Sequence, residues 1–493
     1  MADDDGFVND LTDQEDNFSR WYTEVVRKAK LADYSPVRGS MVIRPYGYAL
    51  WENMQAGLDR RFKETGHVNA YFPLLVPESL LKKEAEHVEG FAPEVAWVTH
   101  AGNNKLEERY CIRPTSEAII GEIYSKWVDS WRDLPILINQ WANVMRWEKV
   151  TRLFLRTAEF LWQEGHTVHA TEDEAEEETR KMLDVYHNFI ETELAIPVWR
   201  GQKTEKEKFA GALRTFTVEA LMRDGKALQA GTSHNLGQHF AKVFDITFQD
   251  KDGQRKFAWQ TSWGVSTRLI GALIMAHGDD SGLMMPPNVA PIQVIVVPIW
   301  RKEADKQAVM AMVDQVVATL KPVCRIQADK DDNNTPGWKY NEYEMKGVPL
   351  RLEIGPRDVQ NESVVLVRRL DRKKEFVPLA EVTERIPALL AEIQQALYQR
   401  ALDFREASTH EASTWDEFLA IFPEREAGKE APEGAKKGFV WANWCGVTEC
   451  EQKIQDLTKA TIRCLPLDRP ASDGACVHCG SAGKEKALFA RSY

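Results

Sequence analysis

The sequence of 493 residues contains no run of 18 or more apolar residues, which is about the length that a membrane-spanning helix needs. Asp3, Asp4 and Asp5 stand near the start, where a secretory or mitochondrial leader would carry basic residues. We therefore expect no membrane partner and a cytosolic location. The first 16 residues are expected to form a short, solvated acidic tail.

Positive charge is also scarce, because 63 Lys and Arg residues face 75 Asp and Glu residues and the net charge is −12. This balance excludes a protein that coats nucleic acid through its overall field, although local basic patches can still bind phosphates. Seven cysteines are too few and too unevenly spaced for a disulfide framework. Five of them lie in the last fifty residues, where their spacing carries information.

The length predicts about three domains. In the first, residues 1–288, a long helical pattern at 43–71 ends near Gly66, and Gly264 to His277 form a buried helix. In the second, residues 289–403, strands and helices alternate as in an α/β domain. A charged linker around 405–415 then leads into the third, residues 404–493, where strands surround the cysteines.

Two strand-like runs near residue 150 are joined by a polar loop and carry Arg146, Glu148, Arg156 and Phe160. If the runs pair as a hairpin, these four side chains can share one face, since side chains alternate along strands. Arginines there would bind triphosphate oxygens, Phe160 would offer a flat surface to a base, and Glu148 would accept from an amino group. Taken alone, such an Arg–Glu pair is more often a surface salt bridge.

The cysteines near the C-terminus form two pairs, Cys445 with Cys450 and Cys476 with Cys479, separated by 25 residues. Four thiolates at this spacing suit a closed tetrahedral Zn²⁺ site, which would be structural because no coordination position remains open. Cys464 fits an apolar strand and is left out of the set. A disulfide or free thiols are the alternative, and both are less expected in the cytosol.

Three longer segments resemble the motifs of class II aminoacyl-tRNA synthetases. Residues 41–77 are similar to motif 1, a long helix followed by a strand that ends at a proline, here Pro73. The run RWEKVTRLFLRTAEF resembles motif 2, and SWGVSTRLIGALIMAHGDD resembles motif 3 with Gly264 and Arg268. The resemblance implies an α+β catalytic domain with an antiparallel sheet, then an α/β anticodon-binding domain and a small zinc-binding C-terminal α/β domain.

Shorter runs resemble the prolyl-tRNA synthetases in particular, of the archaeal and eukaryotic-type architecture that lacks an inserted editing domain. They are RPTSE (113–117), FLWQEGHT (160–167), TEKEKFAGA (204–212), ALQAGTSH (227–234) and HGDD (277–280). About ninety residues separate motifs 2 and 3, so an editing domain has no room there. Leu153, in the motif 2 loop, stands where the family pattern has proline.

The resemblance also implies roles for individual residues. Arg146 and Arg268 would be the catalytic residues, and Gln229 would help to hold the Mg²⁺ that accompanies ATP. ATP would be bound by Arg146, Glu148, Arg156, Phe160, Gln229, Thr232, Ser266 and Arg268. L-proline would be bound by Thr115, Glu117, Arg146, Trp162, Glu164, His166 and His234.

Further implications concern the macromolecular partners. Arg351, Glu353 and Arg357, at a strand end in GVPLRLEIGPRD, would read the anticodon of tRNA(Pro), although each alone could be an ordinary solvent-facing charge. Motif 1 implies a homodimer. The last residues, up to Tyr493, would dock against the catalytic domain or else pack only within the zinc domain.

The implied reaction activates proline with ATP and transfers it to tRNA(Pro), and four alternatives stay open. A threonine enzyme would need a zinc-binding cysteine at Glu117, and a serine enzyme would need a longer N-terminal arm than residues 1–40 provide. A catalytically inactive synthetase-like module would usually have lost Arg146, Arg156 or Arg268, all of which are present. A zinc-ribbon binder of nucleic acid would account for only about the last ninety residues.

Overall fold

The computed structural model describes residues 11–85, 94–424, 437–467 and 472–493. Most of the expected acidic tail, residues 1–10, lies outside these ranges. The last part of that expectation was wrong, because a helix begins at Gln14 and is capped by the side chain of Asp13. Within the described ranges, no helix is long and apolar enough to cross a membrane.

The first region combines helices with many short strands. Its helices are α1 (Gln14–Lys28), α2 (Pro45–Glu64), α3 (Glu78–Ala85), α4 (Glu117–Trp127), α5 (Glu172–Thr192), α6 (His239–Phe244) and α7 (Arg268–His277). Its strands are β1 (Ala32–Tyr34), β2 (Met41–Ile43), β3 (Val68–Asn69), β4 (Leu75–Pro77), β5 (Trp97–Ala101), β6 (Asn104–Ile112), β7 (Ile136–Met145), β8 (Glu159–His169), β9 (Val198–Gln202), β10 (Arg214–Leu221), β11 (Ala227–Gly237), β12 (Thr247–Gln249), β13 (Arg255–Phe257) and β14 (Trp259–Ser266).

Two smaller regions follow along the chain. The second contains β15 (Val294–Pro298), α8 (Glu303–Leu320), β16 (Ile326–Ala328), α9 (Pro336–Met345), β17 (Leu350–Ile354), α10 (Pro356–Gln360), β18 (Ser363–Arg368), β19 (Lys374–Pro378) and α11 (Val382–Ala407). The third contains β20 (Thr409–Ala412), α12 (Trp415–Ile421), β21 (Phe439–Trp444), α13 (Thr448–Thr458), β22 (Thr461–Pro466) and β23 (Glu485–Ala490).

The helices of the first region follow their apolar periodicity. In α2, residues Leu50, Met54, Leu58 and Phe62 recur every four positions and are all buried, as the predicted helix over this stretch requires. The predicted buried helix near Gly264 is confirmed only from Arg268, since the residues before it end strand β14. Every residue of α7 after Arg268 is buried, so this helix fills the core behind the sheet.

Strands β9, β10, β11, β14, β8 and β7 lie side by side in this order and pair antiparallel throughout. This is the antiparallel sheet that the sequence predicts for a catalytic domain. All residues between β8 and β14 are described, and they form α5, α6 and strands β9 to β13. The segment between motifs 2 and 3 therefore holds no additional domain, as expected.

The second region has a mixed sheet of strand order β16-β15-β17-β18-β19. Parallel pairing joins β15 to β16 and to β17, and antiparallel pairing joins β17 to β18 and β18 to β19. Helices α8 and α11 cover its apolar face with Val309, Val313, Ile386 and Leu389. The α/β pattern predicted from the sequence is confirmed.

The junction with the third region differs from the expectation of a charged linker. Helix α11 continues to Ala407 and β20 begins at Thr409, so the predicted linker at 405–415 was wrong. Strand β22 also pairs with β9, which joins the third region's strands to the catalytic sheet. Gly201 allows this close approach, because a Cβ there would lie 2.6 Å from both Cys464 Cβ and Leu465 O.

Candidate active site

A cavity of about 320 Å³ opens on the catalytic sheet between β8, β11 and β14. Of the fourteen residues predicted to bind ATP or proline, twelve line it, and Glu148 and Arg156 do not. The twelve are Thr115, Glu117, Arg146, Phe160, Trp162, Glu164, His166, Gln229, Thr232, His234, Ser266 and Arg268. Residues of motifs 2 and 3 and of the runs RPTSE and ALQAGTSH, which are far apart in the sequence, thus meet in one cavity.

Strand alternation explains the contribution of β8. Phe160, Trp162, Glu164 and His166 are two residues apart and all line the cavity, as the period of a strand requires. The opposite face carries Gly165, where a Cβ would lie 2.1 Å from the Trp263 ring. The glycine of the WQEGH run is therefore needed because the indole packs directly on the strand.

A β-bulge decides which side chains β11 presents. Gln229 and Thr232 are three residues apart, so a regular strand would place them on opposite faces. Gly231 pairs with Val218 and Gln229 with Glu219, which leaves Ala230 as an extra residue. The extra residue reverses the alternation, so that Gln229, Thr232 and His234 all line the cavity.

The strand register also defines two ends of the cavity. His234, Ser262 and His166 form one row across β11, β14 and β8, whereas Ser266 pairs with Trp162 further along β14 and β8. We call the first the histidine end, made of Thr115, Glu117, Glu164, His166 and His234. We call the second the arginine end, made of Arg268, Ser266, Gln229 and Thr232.

The histidine end is a buried and interlocked polar cluster. Glu164 Oε2 lies 3.0 Å from His166 Nε2, and Glu164 Oε1 accepts hydrogen bonds from Ser116 Oγ and, at 2.8 Å, from Gln140 Nε2. Thr115 Oγ1 donates to Glu117 Oε2. Glu164, His166, Thr115 and Glu117 are all buried, and such a network fixes side-chain positions because every member depends on the others.

Charge within this cluster is set by the Glu164–His166 pair. Burial acts to raise the pKa of Glu164, but the hydrogen bond and charge of His166 outweigh it and lower that pKa. Burial acts to lower the pKa of His166, but Glu164 outweighs it and raises that pKa. Burial, together with the charge of His166, lowers the pKa of His234 to about 3. At neutral pH the cluster therefore holds one ion pair and one neutral imidazole.

The arginine end carries one cation, Arg268, which has no paired carboxylate within the described ranges. Arg268 stands at the start of α7, where its Nε donates to Leu155 O at 3.2 Å and its backbone N donates to Ser266 Oγ at 3.2 Å. Burial, and then the charges of Arg156 and Arg146, lower the pKa of Arg268 to about 10. It forms no ion pair with any carboxylate in the described ranges, so its charge is available to an anion.

Arg146 lies between the two ends. It directly follows β7, its backbone N donates to Ala158 O at 2.8 Å, and its Nε donates to Pro114 O at 3.0 Å. Its guanidinium carbon is 5.6 Å from the Phe160 ring centroid and 5.5 Å from that of Trp162, within cation–π range. The guanidinium is thus positioned by a backbone carbonyl and two rings in the wall of the cavity.

Glu148 and Arg156 lie outside the cavity lining, on the loop after β7. Arg156 NH1 is 3.8 Å from Glu148 Oε2, and their side chains are 54% and 31% exposed, respectively. This is the surface ion pair that the sequence left open as an alternative. Their predicted contacts with ATP would require both side chains to turn towards the arginine end.

Ten further residues line the cavity without having been assigned to ATP or proline from the sequence, and four of them lie near one another in the chain: Glu207, Lys208, Phe209 and Thr215. The Phe209 ring centroid is 4.8 Å from that of His234, and Thr215 Oγ1 shares a 2.9 Å hydrogen bond with His234 Nδ1. Three of the four belong to the run TEKEKFAGA, which resembles the family. The resemblance of this run to the family could therefore have indicated these residues, but their chemical character alone gave no reason to place them in the cavity.

Three buried side-chain atoms of residues that line the cavity have no hydrogen-bond partner within the described chain. They are Trp162 Nε1, Ser262 Oγ and Trp263 Nε1. A buried donor without a partner is costly, so such atoms are expected where a ligand supplies the missing partner.

Of the three residues predicted to read an anticodon, Arg351 and Glu353 lie on β17 and Arg357 lies on α10. Arg351 forms a 3.0 Å ion pair with Glu353 and lies 3.9 Å from the Tyr340 ring centroid. Arg351 lines a second cavity of about 220 Å³ together with Arg368, Arg369, Arg372 and Lys374. Glu353 and Arg357 do not line this cavity, and Arg357 is exposed on α10.

The four predicted metal ligands come together in the third region. The Sγ atoms of Cys445, Cys450, Cys476 and Cys479 all lie within 4.8 Å of one another, and those of Cys450 and Cys476 are 3.8 Å apart. A tetrahedron with Zn–S bonds of about 2.3 Å has sulfur–sulfur edges of about 3.8 Å. The cluster fits a metal ion of this kind, and Cys464 is not part of it.

Tyr493 packs on the catalytic sheet rather than within the third region alone. Its hydroxyl donates to Asp224 Oδ2 at 2.7 Å, and its ring lies 5.4 Å from the Arg152 guanidinium carbon. Ser492 pairs with Ala227 at the start of β11. Of the two expectations for these residues, the structure agrees with docking onto the first region, beside the motif 2 loop.

Comparisons with known proteins cover each of the three regions. Residues 97–277 match the family model of the tRNA synthetase class II core domain (G, H, P, S and T). Residues 293–389 match the anticodon binding domain, and residues 431–493 match the model described as prolyl-tRNA synthetase, C-terminal.

Individual relatives match over nearly the whole chain. The proline–tRNA ligase of Natranaerobius thermophilus is 58% identical over 489 residues, which is 99% of each chain, and that of Symbiobacterium thermophilum is 57% identical over 496 residues, 100% of each chain. A crystal structure of prolyl-tRNA synthetase from Cryptosporidium parvum, complexed with halofuginone and AMPPNP, superposes with a TM-score of 0.92 at 41% identity and covers 98% of this chain and 99% of that one. With all three regions and the full length matched, the chain belongs to the prolyl-tRNA synthetase family of class II aminoacyl-tRNA synthetases.

Proposed function

We propose that this chain is a proline–tRNA ligase, which activates L-proline with ATP and transfers the prolyl group to tRNA(Pro). The observation that supports it most strongly is the single cavity, in which unpaired arginines at one end face a buried, interlocked acceptor cluster at the other. One end suits a triphosphate and the other suits a small cationic amine. The full-length relatives named proline–tRNA ligase agree with this division.

ATP is assigned to the arginine end. Arg268 and Arg146 bind phosphate oxygens, Phe160 stacks on the base, and Gln229, Thr232 and Ser266 contact the ribose or phosphates. Glu148 and Arg156 close over the nucleotide from the loop. Mg²⁺ bound to ATP neutralises phosphate charge and usually needs only one or two protein oxygens, and the Gln229 side-chain amide, which lines the cavity, supplies one.

Proline is assigned to the histidine end. Thr115 and Glu117, which are hydrogen-bonded to each other, accept the secondary ammonium, while Arg146 binds the carboxylate. Trp162, Glu164, His166 and His234 shape the space for the ring. Phe209, stacked near His234, adds an apolar wall there.

The chemistry follows from this arrangement without a general base. The proline carboxylate is already a nucleophile; its oxygen bonds to the α-phosphorus while the bond to the pyrophosphate oxygen breaks. Arg146 and Arg268 align the two substrates and stabilise the charge that develops on the phosphates. A ribose hydroxyl at the tRNA 3′ end then attacks the carbonyl of the adenylate, and AMP leaves.

Recognition of tRNA(Pro) is assigned to the second region. Arg351, Glu353 and Arg357 remain the candidates for contacts with the anticodon, and the cavity beside Arg351 adds four basic side chains. Bases splayed out of a loop can be read by hydrogen bonds, while the flanking phosphates meet the basic groups. The proposed division is thus 1–288 for catalysis, 289–403 for the anticodon and 404–493 for a structural zinc held by the four cysteines.

A homodimer is also part of the proposal. Of the fifteen large apolar side chains that are exposed among the described residues, seven lie between residues 34 and 75, in and around motif 1. Such a concentration is typical of an interface. Because charging of tRNA serves translation, the proposed location remains the cytosol.

Charging of tRNA tests the proposed function. Purified protein, ATP, Mg²⁺ and total tRNA are incubated with each labelled amino acid in turn, and acid-precipitable label is counted. Label from proline should accumulate on tRNA and disappear when tRNA(Pro) is left out. Stronger charging with threonine or serine, or no charging with any amino acid by well-folded protein, would contradict the proposal.

A further inference from the structure

One wall of the histidine end is formed by a short loop, residues 203–209, between β9 and β10. Its turn is closed by two bonds to Thr204 O, from the backbone N of Glu207 at 3.1 Å and that of Lys208 at 3.0 Å. Beyond the turn, Phe209 N donates to Thr215 Oγ1 at 3.0 Å. Thr204 therefore anchors the turn that leads into Phe209, whose backbone N is held by Thr215 beside His234.

The loop is held from outside by helix α13 of the third region. Thr204 Oγ1 donates to Glu451 Oε1 at 3.0 Å, and Lys206 Nζ donates to Gln455 Oε1 one helical turn further along. Glu451 is 1% exposed and Thr204 is 3% exposed. Both contacts join residues that lie about 250 positions apart in sequence, so the two segments meet only in the folded protein.

The start of the loop is fixed from the same region. Lys203 Nζ donates to Glu219 Oε1 at 2.7 Å and to Arg463 O at 2.8 Å, and Arg463 Nε donates to Glu219 Oε2 at 3.0 Å. These three charged side chains are buried. The loop is thus attached to the third region at Lys203, Thr204 and Lys206, while its far end lines the cavity.

The bond from Thr204 to Glu451 is poorly explained by stability alone. Glu451 Oε2 is buried without a hydrogen-bond partner in the described ranges, and burying a half-satisfied carboxyl group is unfavourable. An apolar contact at this place would hold the two regions together at lower cost. Unlike an apolar contact, the carboxyl group orients its partner, because an acceptor at 3.0 Å fixes the position of the Thr204 hydroxyl and thereby of the turn.

We propose that Glu451 is a positioning residue of the amino-acid site, which acts from α13 through Thr204 to hold Phe209 against His234. This inference rests on the proposed function, in which the histidine end binds proline. It assigns the third region a part in amino-acid binding that is separate from any metal it holds. ATP is assigned to the arginine end, so its binding should be unaffected by Glu451.

Steady-state ATP–pyrophosphate exchange separates the two substrates. Glu451→Ala should raise KM for proline about tenfold, as the loss of one buried hydrogen bond implies, while kcat and KM for ATP stay within about twofold of the wild type. Glu451→Gln keeps an acceptor at Oε1 and should restore most of the proline KM. Glu449→Ala, at an exposed position of the same helix, serves as the matched control and should behave as wild type.

A second pair of variants covers the case in which Glu451→Ala does not fold. Thr204→Val removes, at nearly constant volume, both the bond to Glu451 and the bond that Thr204 Oγ1 accepts from Glu207 N. It should raise KM for proline at least as much, whereas Thr204→Ser keeps both bonds and should not. An unchanged proline KM in folded Thr204→Val, or an equal rise in both KM values, would overturn the inference. Wild-type exchange that does not depend on proline would instead refute the proposed function, so the two failures are distinguishable.

Discussion

The two ends of the catalytic cavity are built on different principles. At the histidine end, Glu164 and His166 are buried and bonded to each other, and Glu164 also to Ser116 and Gln140. At the mouth of the arginine end, Glu148 and Arg156 are partly exposed and form an ion pair at 3.8 Å. One end is fixed by buried side chains that constrain each other, and the mouth of the other carries an ion pair that is partly exposed to solvent.

The difference matches what each proposed ligand requires. A small amino acid offers few atoms, and a site rejects its analogues only if buried polar groups would be left unpaired by the wrong ligand. A triphosphate brings several charges of its own, so arginines can adapt to it. Selectivity should therefore depend on the histidine end and catalytic rate on the arginines.

The largest effect is expected at the arginine end itself. Arg268→Ala should reduce proline-dependent exchange by a factor of about 10² or more, since a contact with developing charge is worth about 3 kcal/mol. Arg146→Ala should be as severe, because that guanidinium contacts both proposed substrates. Circular dichroism and thermal unfolding should remain those of the wild type, because neither side chain forms an ion pair within the described ranges. Near wild-type exchange by folded Arg268→Ala would mean that the match to motif 3 is coincidental.

A change at the histidine end should affect one substrate and also stability. Glu164→Ala removes the buried partner of His166 and the acceptor that Ser116 and Gln140 share, which should lower the free energy of unfolding by about 3 kcal/mol and raise KM for proline at least about tenfold. KM for ATP should change little. Glu159→Ala, at the exposed end of the same strand, is the control. A larger rise in the ATP KM than in the proline KM would contradict the division into two ends.

Removing the proposed metal should act on neither end directly. Cys476→Ser should lose the roughly one zinc per chain expected of four thiolates, lower the unfolding temperature and leave exchange partly active. Whatever activity is lost should appear in the proline KM, because α13 contacts the loop that carries Phe209. Metal analysis of freshly purified, chelator-free protein provides the measurement. Finding no zinc in the wild-type protein would contradict the proposed metal site.

The smallest effect is expected at the exposed ion pair. Arg156→Ala should raise KM for ATP by a few-fold and leave stability and the proline KM unchanged, since an exposed ion pair contributes little to folding. Thermal unfolding measures the stability, and exchange at varied ATP and proline concentrations measures the two KM values. If Arg156→Ala reduced exchange as strongly as Arg268→Ala does, Arg156 would contribute as much to binding ATP as Arg268.

Much of this site could be predicted from the sequence, and the exceptions have physical causes. The motif residues on β8 follow a period of two, so the alternate positions from Phe160 to His166 could be assigned to one face from the pattern alone. Gln229 could be assigned only through resemblance, because the bulge at Ala230 reverses the alternation that periodicity assumes. Phe209 received no role, since an aromatic residue in a charged run gives no sign of what it will pack against.

Where the prediction from the sequence was wrong, the cause was a tertiary contact that the local sequence pattern does not show. A charged stretch around residue 410 suggested a linker, but pairing of β20 with β21 makes it part of a sheet. The attachment of β22 to β9 depends on Gly201. The need for glycine at this position cannot be inferred from the sequence, because it arises only from the contact with Cys464 in the folded protein. The four cysteines, in contrast, were predicted from spacing because one metal ion would constrain them all.

The central claim is that one cavity selects proline at its buried end and activates it at its cationic end. ATP–pyrophosphate exchange without tRNA, carried out with each of the twenty amino acids at equal concentration, tests this most directly. Proline should give the strongest signal, with weaker but measurable exchange from alanine and cysteine, because a missing methylene changes binding by only about 1–3 kcal/mol. A stronger signal from threonine or serine than from proline would contradict the account.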